Sequence, residues 1–132
     1  MNYILDTNII TALMKNDEKV WTKLDEKIFR GEEVFISGIN YYEIKRGLLA
    51  VNAAKKLNSF DRFCKKVGIL FLDDQEIFDT ASKIYADLKR KGRLISDADI
   101  LIAALAITRD VILVSDDSDF SEIGDVSLEN WL

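Results

Sequence analysis

Four acidic side chains in this sequence lie where they could act together on one bound group. They are Asp6, Glu43, Asp99 and one of the neighbouring pair Asp116 and Asp117. Asp6 and the pair follow short apolar runs, with Asp119 close behind the pair, whereas Glu43 and Asp99 lie within segments that have a helical pattern. Like charges a few ångströms apart repel one another, so such a group is tolerable if it holds hard divalent cations. Mg²⁺ and Mn²⁺ prefer oxygen ligands, and a bound metal turns water into a nucleophile without any histidine.

The segment Asp6-Thr7-Asn8 closes the short apolar run 3–5. Such a run suits a strand buried on both faces, and ligands of parallel sheets bind outside the carboxyl ends of the strands. Asp6 is therefore placed for chemistry, on the strand that we expect to be central. The structural alternative is that Asp6 caps the following helix, because Asp, Thr and Asn all serve as helix caps.

Glu43 and Asp99 also have structural alternatives. Glu43 lies in a predicted helix near Arg46, with which it could form an exposed ion pair. Asp99 opens a helix that is apolar almost all round and is therefore predicted to be buried. A carboxylate in its first turn points at an interior crevice or at its own cap, because Ser96 and Asp99 resemble a capping box. Asp97 could simply serve the helix dipole.

The acidic run after the apolar segment 111–114 carries more carboxylates than a turn requires. A calcium loop of the helix–loop–helix kind does not fit. Counting from Asp117, the required glycine position holds Glu122 and the final glutamate position holds Leu128. We therefore expect either Asp116 or Asp117 to act with the other acids.

Apolar runs of strand length alternate with segments of helical periodicity. The predicted strands are 3–5, 34–36, 69–72, 111–114 and 126–128, and the predicted helices are 9–14, 18–30, 41–49, 53–66, 73–91 and 96–108. This alternation indicates an α/β fold with a mostly parallel central sheet of four to five strands flanked by helices. We expect residues 1–132 to form a single domain.

Composition excludes several classes of protein. Hydrophobic residues make up 48% of the chain, enough for a core, yet no apolar run approaches the length of a membrane span. The single cysteine, Cys64, cannot form an internal disulfide, and no secretory signal is visible, so we expect a cytoplasmic protein with no membrane partner. The absence of histidine excludes Ser-His and Cys-His nucleophile systems and histidine-ligated zinc.

The charge is distributed unevenly along the chain. The net charge of −5 argues at first against a nucleic-acid partner. However, the stretch 44–93 carries 12 basic and 6 acidic residues, whereas the remainder carries 6 basic and 17 acidic residues. A basic middle beside an acidic pocket would suit a phosphate-rich polymer whose reaction site holds cations. For any single lysine, a solvated helix face is the alternative.

Five ordered motifs span the chain. They are LDTN at 5–8, Ser37 through Glu43 to Gly47, DILIAALA at 99–106, LVSDDSDF at 113–120 and LENW at 128–131. With this set, the sequence resembles the PIN-domain family, in particular the VapC-type toxins of bacterial and archaeal toxin–antitoxin pairs. The resemblance implies a PIN-like fold and a Mg²⁺- or Mn²⁺-dependent endoribonuclease, often cutting tRNA or rRNA and held inactive by a cognate antitoxin.

The resemblance also implies roles for particular residues. The acidic positions that would hold one or two Mg²⁺ are Asp6, Glu43, Asp99 and Asp117. Asp116 is the alternative to Asp117 as the fourth acid. A bound water would then attack an RNA phosphorus in line. Outer positions that order waters or support the ligands are Thr7, Asn8, Ser115, Asp97 and Asp119. Lys45 and Arg46, with the basic helix after them, would guide the RNA backbone.

Other functions and partners follow from the same residues. An aspartyl-phosphate phosphatase would need a second Asp where Asn8 stands. A PIN-like binding module would grip an antitoxin or regulator without cleaving RNA, and a PIN-domain nuclease could instead serve RNA maturation. The resemblance implies a VapB-like antitoxin, an RNA substrate and a homodimer as partners. Tyr41, Tyr42 and Leu48 could serve the dimer interface, with ordinary core packing as their alternative.

Overall fold

The N-terminal strand is the central strand of the sheet. The computed structural model describes residues 1–132. Its strands are β1 (Tyr3–Leu5), β2 (Val34–Ser37), β3 (Ile69–Leu70), β4 (Ile112–Val114) and β5 (Leu128–Glu129). They form one five-stranded sheet in the order β3-β2-β1-β4-β5, and every neighbouring pair is parallel. The predicted α/β fold with a parallel central sheet is confirmed.

Six α-helices connect and cover the strands. They are α1 (Thr7–Met14), α2 (Glu18–Phe29), α3 (Gly38–Ala50), α4 (Ala54–Val67), α5 (Gln75–Arg90) and α6 (Asp97–Arg109), with a short 3₁₀ helix at Ser118–Glu122. The first helix begins at Thr7, two residues before its predicted start at Ile9, because Asp6 already occupies the N-cap position. None of the helices is both long enough and apolar enough to cross a membrane.

Neighbouring residues of each strand enter two separate hydrophobic layers. Tyr3 and Leu5 of β1 pack with apolar residues of α1, α2 and α4, whereas Ile4 packs with those of α5 and α6. This division follows from the two-residue period of a strand. Helices thus cover both faces of β1. The polar residues that directly follow this strand lie at the carboxyl edge of the sheet.

Two strands differ from their predicted bounds by more than one residue at one end. The predicted strand 69–72 ends at Leu70, which pairs with Ser37, the last residue of β2. Beyond this pair β2 has turned into α3, so Phe71 has no partner and is 59% exposed. The fifth strand lies later than predicted, at Leu128–Glu129, where it pairs with β4.

The residues considered for a dimer interface divide into two kinds. Tyr41 stacks on Phe60 with ring centroids 5.7 Å apart, and Leu48 packs against the core below α3. Core packing therefore accounts for these two side chains. Tyr42 is 59% exposed and is the member of the set that is available to a partner.

Candidate active site

Asp6 lies at the carboxyl end of the central strand with its side chain buried. Its backbone N–H donates to the carbonyl of Val114 at 2.9 Å, so sheet pairing continues one residue beyond β1. The side chain is 6% exposed and makes no capping hydrogen bond to α1, which excludes the simple capping role. Instead, Oδ2 accepts from Ser115 Oγ at 2.9 Å and Oδ1 accepts from Asn40 Nδ2 at 3.4 Å.

Ser115 connects the end of β4 to the end of β1. Its hydroxyl donates to Asp6 and accepts both from the N–H of Asp117 at 3.0 Å and from Asn8 Nδ2 at 3.4 Å. Asn8 Oδ1 in turn accepts from the N–H of Asp116 at 3.1 Å. Asn8 and Ser115 thus connect Asp6 to the acidic loop by hydrogen bonds, and their role in supporting metal ligands stays a prediction.

Three carboxylates converge beside this network. One oxygen each of Asp99, Asp117 and Asp119 lies within 4.8 Å of the other two. Asp117 also accepts from the N–H of Asp119 at 2.9 Å, and this capping bond keeps both carboxylates at the start of the 3₁₀ helix. Asp119, predicted to have only a supporting role, therefore lies in the acidic group itself. Asp6 and Glu43 lie outside this group of mutually close oxygens.

Asp116 points elsewhere. Its carboxylate is exposed and accepts from Asn130 Nδ2 at 2.7 Å, near the C-terminus. Of the two candidates for the fourth acid, the geometry therefore favours Asp117.

The Asp99 carboxyl has a raised pKa. Burial is the largest cause that raises the pKa of its carboxyl, to about 6. Three nearby carboxylates, those of Asp6, Asp117 and Asp119, act in the same direction. A hydrogen bond with Ser96 opposes them, and the Ser96 hydroxyl accepts from the Asp99 N–H at 3.2 Å as the helix cap that the sequence predicts. Asp99 thus lies in an environment where its negative charge is unfavourable unless a cation is near.

No basic side chain relieves this crowding of negative charge. The structure contains seven ion pairs of 4.0 Å or less, and none includes Asp6, Glu43, Asp99, Asp116, Asp117 or Asp119. Buried carboxylates are normally paired or bound to a metal. An unpaired set of oxygen donors at close range is the donor chemistry that Mg²⁺ and Mn²⁺ prefer. The residues present therefore fit a divalent cation.

Glu43 and Asp97 are positioned differently from each other. Glu43 is half-buried on α3 and lies one helical turn after Asn40, so both lie on the same face of the helix. Asp97 is exposed and borders a surface groove with Phe78 and Tyr85. Two helical positions separate Asp97 from Asp99, which turns their side chains roughly 200° apart. This direction gives no support to a role for Asp97 in the site, and that role stays a prediction.

Asn40 and Ser37 belong to the site but were not singled out from the sequence. Both side chains are completely buried, and Asn40 Nδ2 donates to Thr7 Oγ1 at 2.8 Å as well as to Asp6. The Asn40 amide thus links the Thr7 hydroxyl to the Asp6 carboxylate. The available signal was the spacing of Ser37, Asn40 and Glu43, because three-residue steps place all three on one side of a helix start.

The two basic residues predicted to guide RNA have different surroundings. Lys45 Nζ donates to the Tyr41 hydroxyl at 2.8 Å and lies 4.0 Å from Asp61 of α4. Arg46 is exposed, lies over the ring of Tyr42, and has its pKa raised chiefly by a hydrogen bond to the Tyr42 hydroxyl. Arg46 is therefore the freer of the two to meet a phosphate.

Comparison with known proteins identifies the family. A PIN-domain model matches residues 3–126. The chain belongs to the PIN-domain family. This PIN-domain chain is similar to Ribonuclease VapC2 of Rickettsia felis, with 32% identity over 140 residues that cover 99% of this chain and 98% of the relative. It is 29% identical to Ribonuclease VapC1 of Haemophilus influenzae over 133 residues, with coverage of 99% and 98%.

Solved structures show the same PIN-domain architecture. The fold matches a crystal structure of VapBC2 from Rickettsia felis bound to a promoter DNA fragment with a TM-score of 0.93, at 25% identity and with both chains fully covered. It matches VapBC-1 from nontypeable Haemophilus influenzae with a TM-score of 0.89, at 28% identity and with coverage of 99% and 98%. The predicted resemblance to VapC-type PIN domains is confirmed.

Proposed function

We propose that this protein is a Mg²⁺- or Mn²⁺-dependent endoribonuclease and acts as the toxin of a type II toxin–antitoxin pair. The observation that carries the proposal is the group of Asp99, Asp117 and Asp119 oxygens within 4.8 Å, with no basic partner, beside the buried Asp6. Relatives over nearly the full length are named VapC ribonucleases. The chemistry and the family both support a phosphodiester hydrolase acting on RNA. We propose tRNA or rRNA as its substrate class.

The carboxylates would hold one or two divalent cations. Asp99, Asp117 and Asp119 present their oxygens together, Asp6 lies near Asp99, and Glu43 would contribute from α3. A divalent cation bound there supplies the positive charge that activates water and stabilises charge developing on a phosphodiester. Because the chain has no histidine, the site's own proton-carrying groups are carboxylates and hydroxyls.

Neutral groups of the chain keep these acids in place. Ser115 fixes one oxygen of Asp6 and also receives the N–H of Asp117, so both acids are held by one hydroxyl. Preorganisation of this kind avoids rearrangement during the reaction. Arg46 on α3 would contact the RNA backbone as the RNA approaches the clustered carboxylates. The lysines of α4 would extend that positive surface. Phosphate contacts of this kind position RNA without reading its sequence.

Partners follow from the related complexes. Several solved structures with this fold are toxin–antitoxin assemblies, some of them bound to DNA. We propose a VapB-like antitoxin that covers the acidic crevice, where a basic side chain would pair with the clustered carboxylates. A homodimer is part of the same proposal, with exposed Tyr42 near its interface.

The test is cleavage of total small RNA by purified, antitoxin-free protein. We expect discrete fragments with Mg²⁺ or Mn²⁺, none with EDTA, and none from Asp6→Asn under any of these conditions. Asp97→Asn is the matched control, because it removes one negative charge outside the site and should cleave like the wild type. Metal-dependent cleavage that persists in folded Asp6→Asn would refute the site assignment. Absence of cleavage by wild-type protein that binds metal would instead favour a binding module.

A further inference from the structure

Asn40 is the most completely buried polar side chain directed at the acidic site. It has no exposed surface, although it stands in the first turn of α3, where polar side chains usually face water. A buried amide is costly unless its donors and acceptor are all satisfied. Here all of its hydrogen bonds go to residues at the carboxyl edge of the sheet.

Ser37 fixes the direction of the Asn40 amide. The Ser37 hydroxyl accepts the backbone N–H of Asn40 at 3.0 Å, as an N-cap does. Its own hydrogen is therefore free to donate to Asn40 Oδ1, at 2.6 Å. With the amide oxygen occupied by Ser37, the amide nitrogen must face the opposite way, towards Thr7 and Asp6.

The amide nitrogen holds the two residues that follow β1. It donates to Thr7 Oγ1 at 2.8 Å and, more weakly, to Asp6 Oδ1 at 3.4 Å. Because Ser115 donates to the other oxygen of Asp6, the carboxylate is held from both sides by neutral donors. Neutral donors fix its orientation without cancelling its charge, so that charge remains available to a cation.

We propose that Asn40 is a positioning residue that aligns Asp6 and Thr7 for divalent-cation binding, with Ser37 setting the orientation of its amide. The proposal rests on the proposed metal-dependent function. Groups that orient metal ligands typically change metal affinity or activity by about tenfold to a hundredfold when they are removed. Asn40 thus acts through Asp6 and does not touch the cation or the RNA itself.

The experiment measures Mn²⁺ affinity by electron paramagnetic resonance and calorimetry, and RNA cleavage by the same preparations. We expect Asn40→Ala to weaken Mn²⁺ binding by about tenfold, and Asn40→Asp, which places an acceptor where the donor was, to weaken it at least as much. Ser37→Ala should have a smaller effect in the same direction, because the amide keeps its donors but loses the bond that orients it. Cleavage should fall in the same rank order when Mn²⁺ is limiting.

Val67→Ala is the control for lost stability. This apolar residue is buried in the core at the end of α4 and its side chain cannot hydrogen-bond to Asp6, so truncating it should destabilise the fold without removing a bond that orients the acid. It should bind Mn²⁺ like the wild type. If Asn40→Ala fails to fold, Asn40→Thr, which keeps a hydroxyl donor, provides the comparison and should bind Mn²⁺ more weakly than the wild type.

The possible outcomes separate this proposal from the proposed function. Folded Asn40 variants with wild-type Mn²⁺ affinity would overturn the role of Asn40, whatever the cleavage assay shows. Weakened Mn²⁺ binding in these variants would support that role even if the wild type cleaved no RNA, in which case only the nuclease function would fail. A wild-type protein that binds no Mn²⁺ would overturn both.

Discussion

Removing the charge of Asp99 should stabilise the protein when no metal is present. The pKa of this carboxyl rises from 3.8 in the unfolded chain to about 6 in the fold, so the folded chain holds the proton more tightly. Stability should therefore fall as pH rises from about 4 to about 6, because only the folded chain still binds the proton in that window. Above that window the full cost of the charged, crowded carboxylate remains.

The size of this effect follows from the shift. At 1.36 kcal/mol per pKa unit, the shift corresponds to about 3 kcal/mol if fully expressed. Because Asp99 is only half-buried and water screens its charge, we expect on the order of 1 kcal/mol. For a chain of this size that is an increase in Tm of about 3–5 °C in Asp99→Asn with EDTA at neutral pH. Near pH 4 or below, the two proteins should melt together.

The assay is thermal unfolding followed by circular dichroism across this pH range, with EDTA and with saturating Mg²⁺. Mg²⁺ should reverse the order at neutral pH, since the wild type gains binding energy that Asp99→Asn largely loses. Asp97→Asn controls for charge removal from the same helix turn and should not stabilise the protein. Equal melting temperatures for wild type and Asp99→Asn in EDTA at neutral pH would refute the argument that burial, together with the neighbouring carboxylates, makes the Asp99 charge unfavourable in the fold.

Two further predictions address the choice of residues. Asp117→Asn should abolish RNA cleavage. Asp116→Asn should retain cleavage within about threefold, because the Asp116 carboxylate is directed at Asn130. Equal losses for the two variants, measured in a fragment assay, would contradict this prediction. Arg46→Gln should weaken RNA binding and lower the salt dependence of the RNA affinity by about one released ion. Lys45→Gln should have the smaller effect. Both are measured by filter binding in increasing KCl. A larger effect of Lys45→Gln would show that the Asp61 carboxylate, 4.0 Å away, does not withdraw Lys45 from RNA.

The sequence predicted the architecture well because two simple periodicities govern it. The run 3–5 is apolar at every position, which fits a strand covered on both faces, and it is the central strand. The apolar helix around 100–107 is buried as its pattern requires. The prediction was less accurate at the edges of the sheet. Phe71 and Leu72 look like strand residues, but β2 offers them no partner, and pairing is a tertiary property that local pattern does not contain.

The sequence brought Asp99 and Asp117 into one predicted site, and the structure places both in the acidic group, but it adds Asp119 and leaves Asp6 and Glu43 outside that group. Positions after strands or in a first helical turn indicate the edge of the sheet and do not give distances between side chains. The role of Asp97 stays a prediction, since a two-residue step on a helix turns its side chain away from that of Asp99. Asn40 was overlooked because its function depends on a contact with Asp6, 34 residues away, that no local spacing specifies.

The connectivity of the sheet ties the site to the order in which the chain is made. The bond between Asp6 and Ser115 joins residues that are 109 positions apart, and β1 must wait for β4 before it is covered on its second side. Trp131, next to the last residue, packs against Tyr3 with ring centroids 5.6 Å apart. A nascent chain of only the first hundred residues thus contains Asp6, Glu43 and Asp99. It lacks β4 and the acidic loop that bring these residues together. At about 5–20 residues per second, residues 101–119 take roughly 1–4 seconds to synthesise, and an inhibitor made beforehand could bind as soon as the acids are brought together.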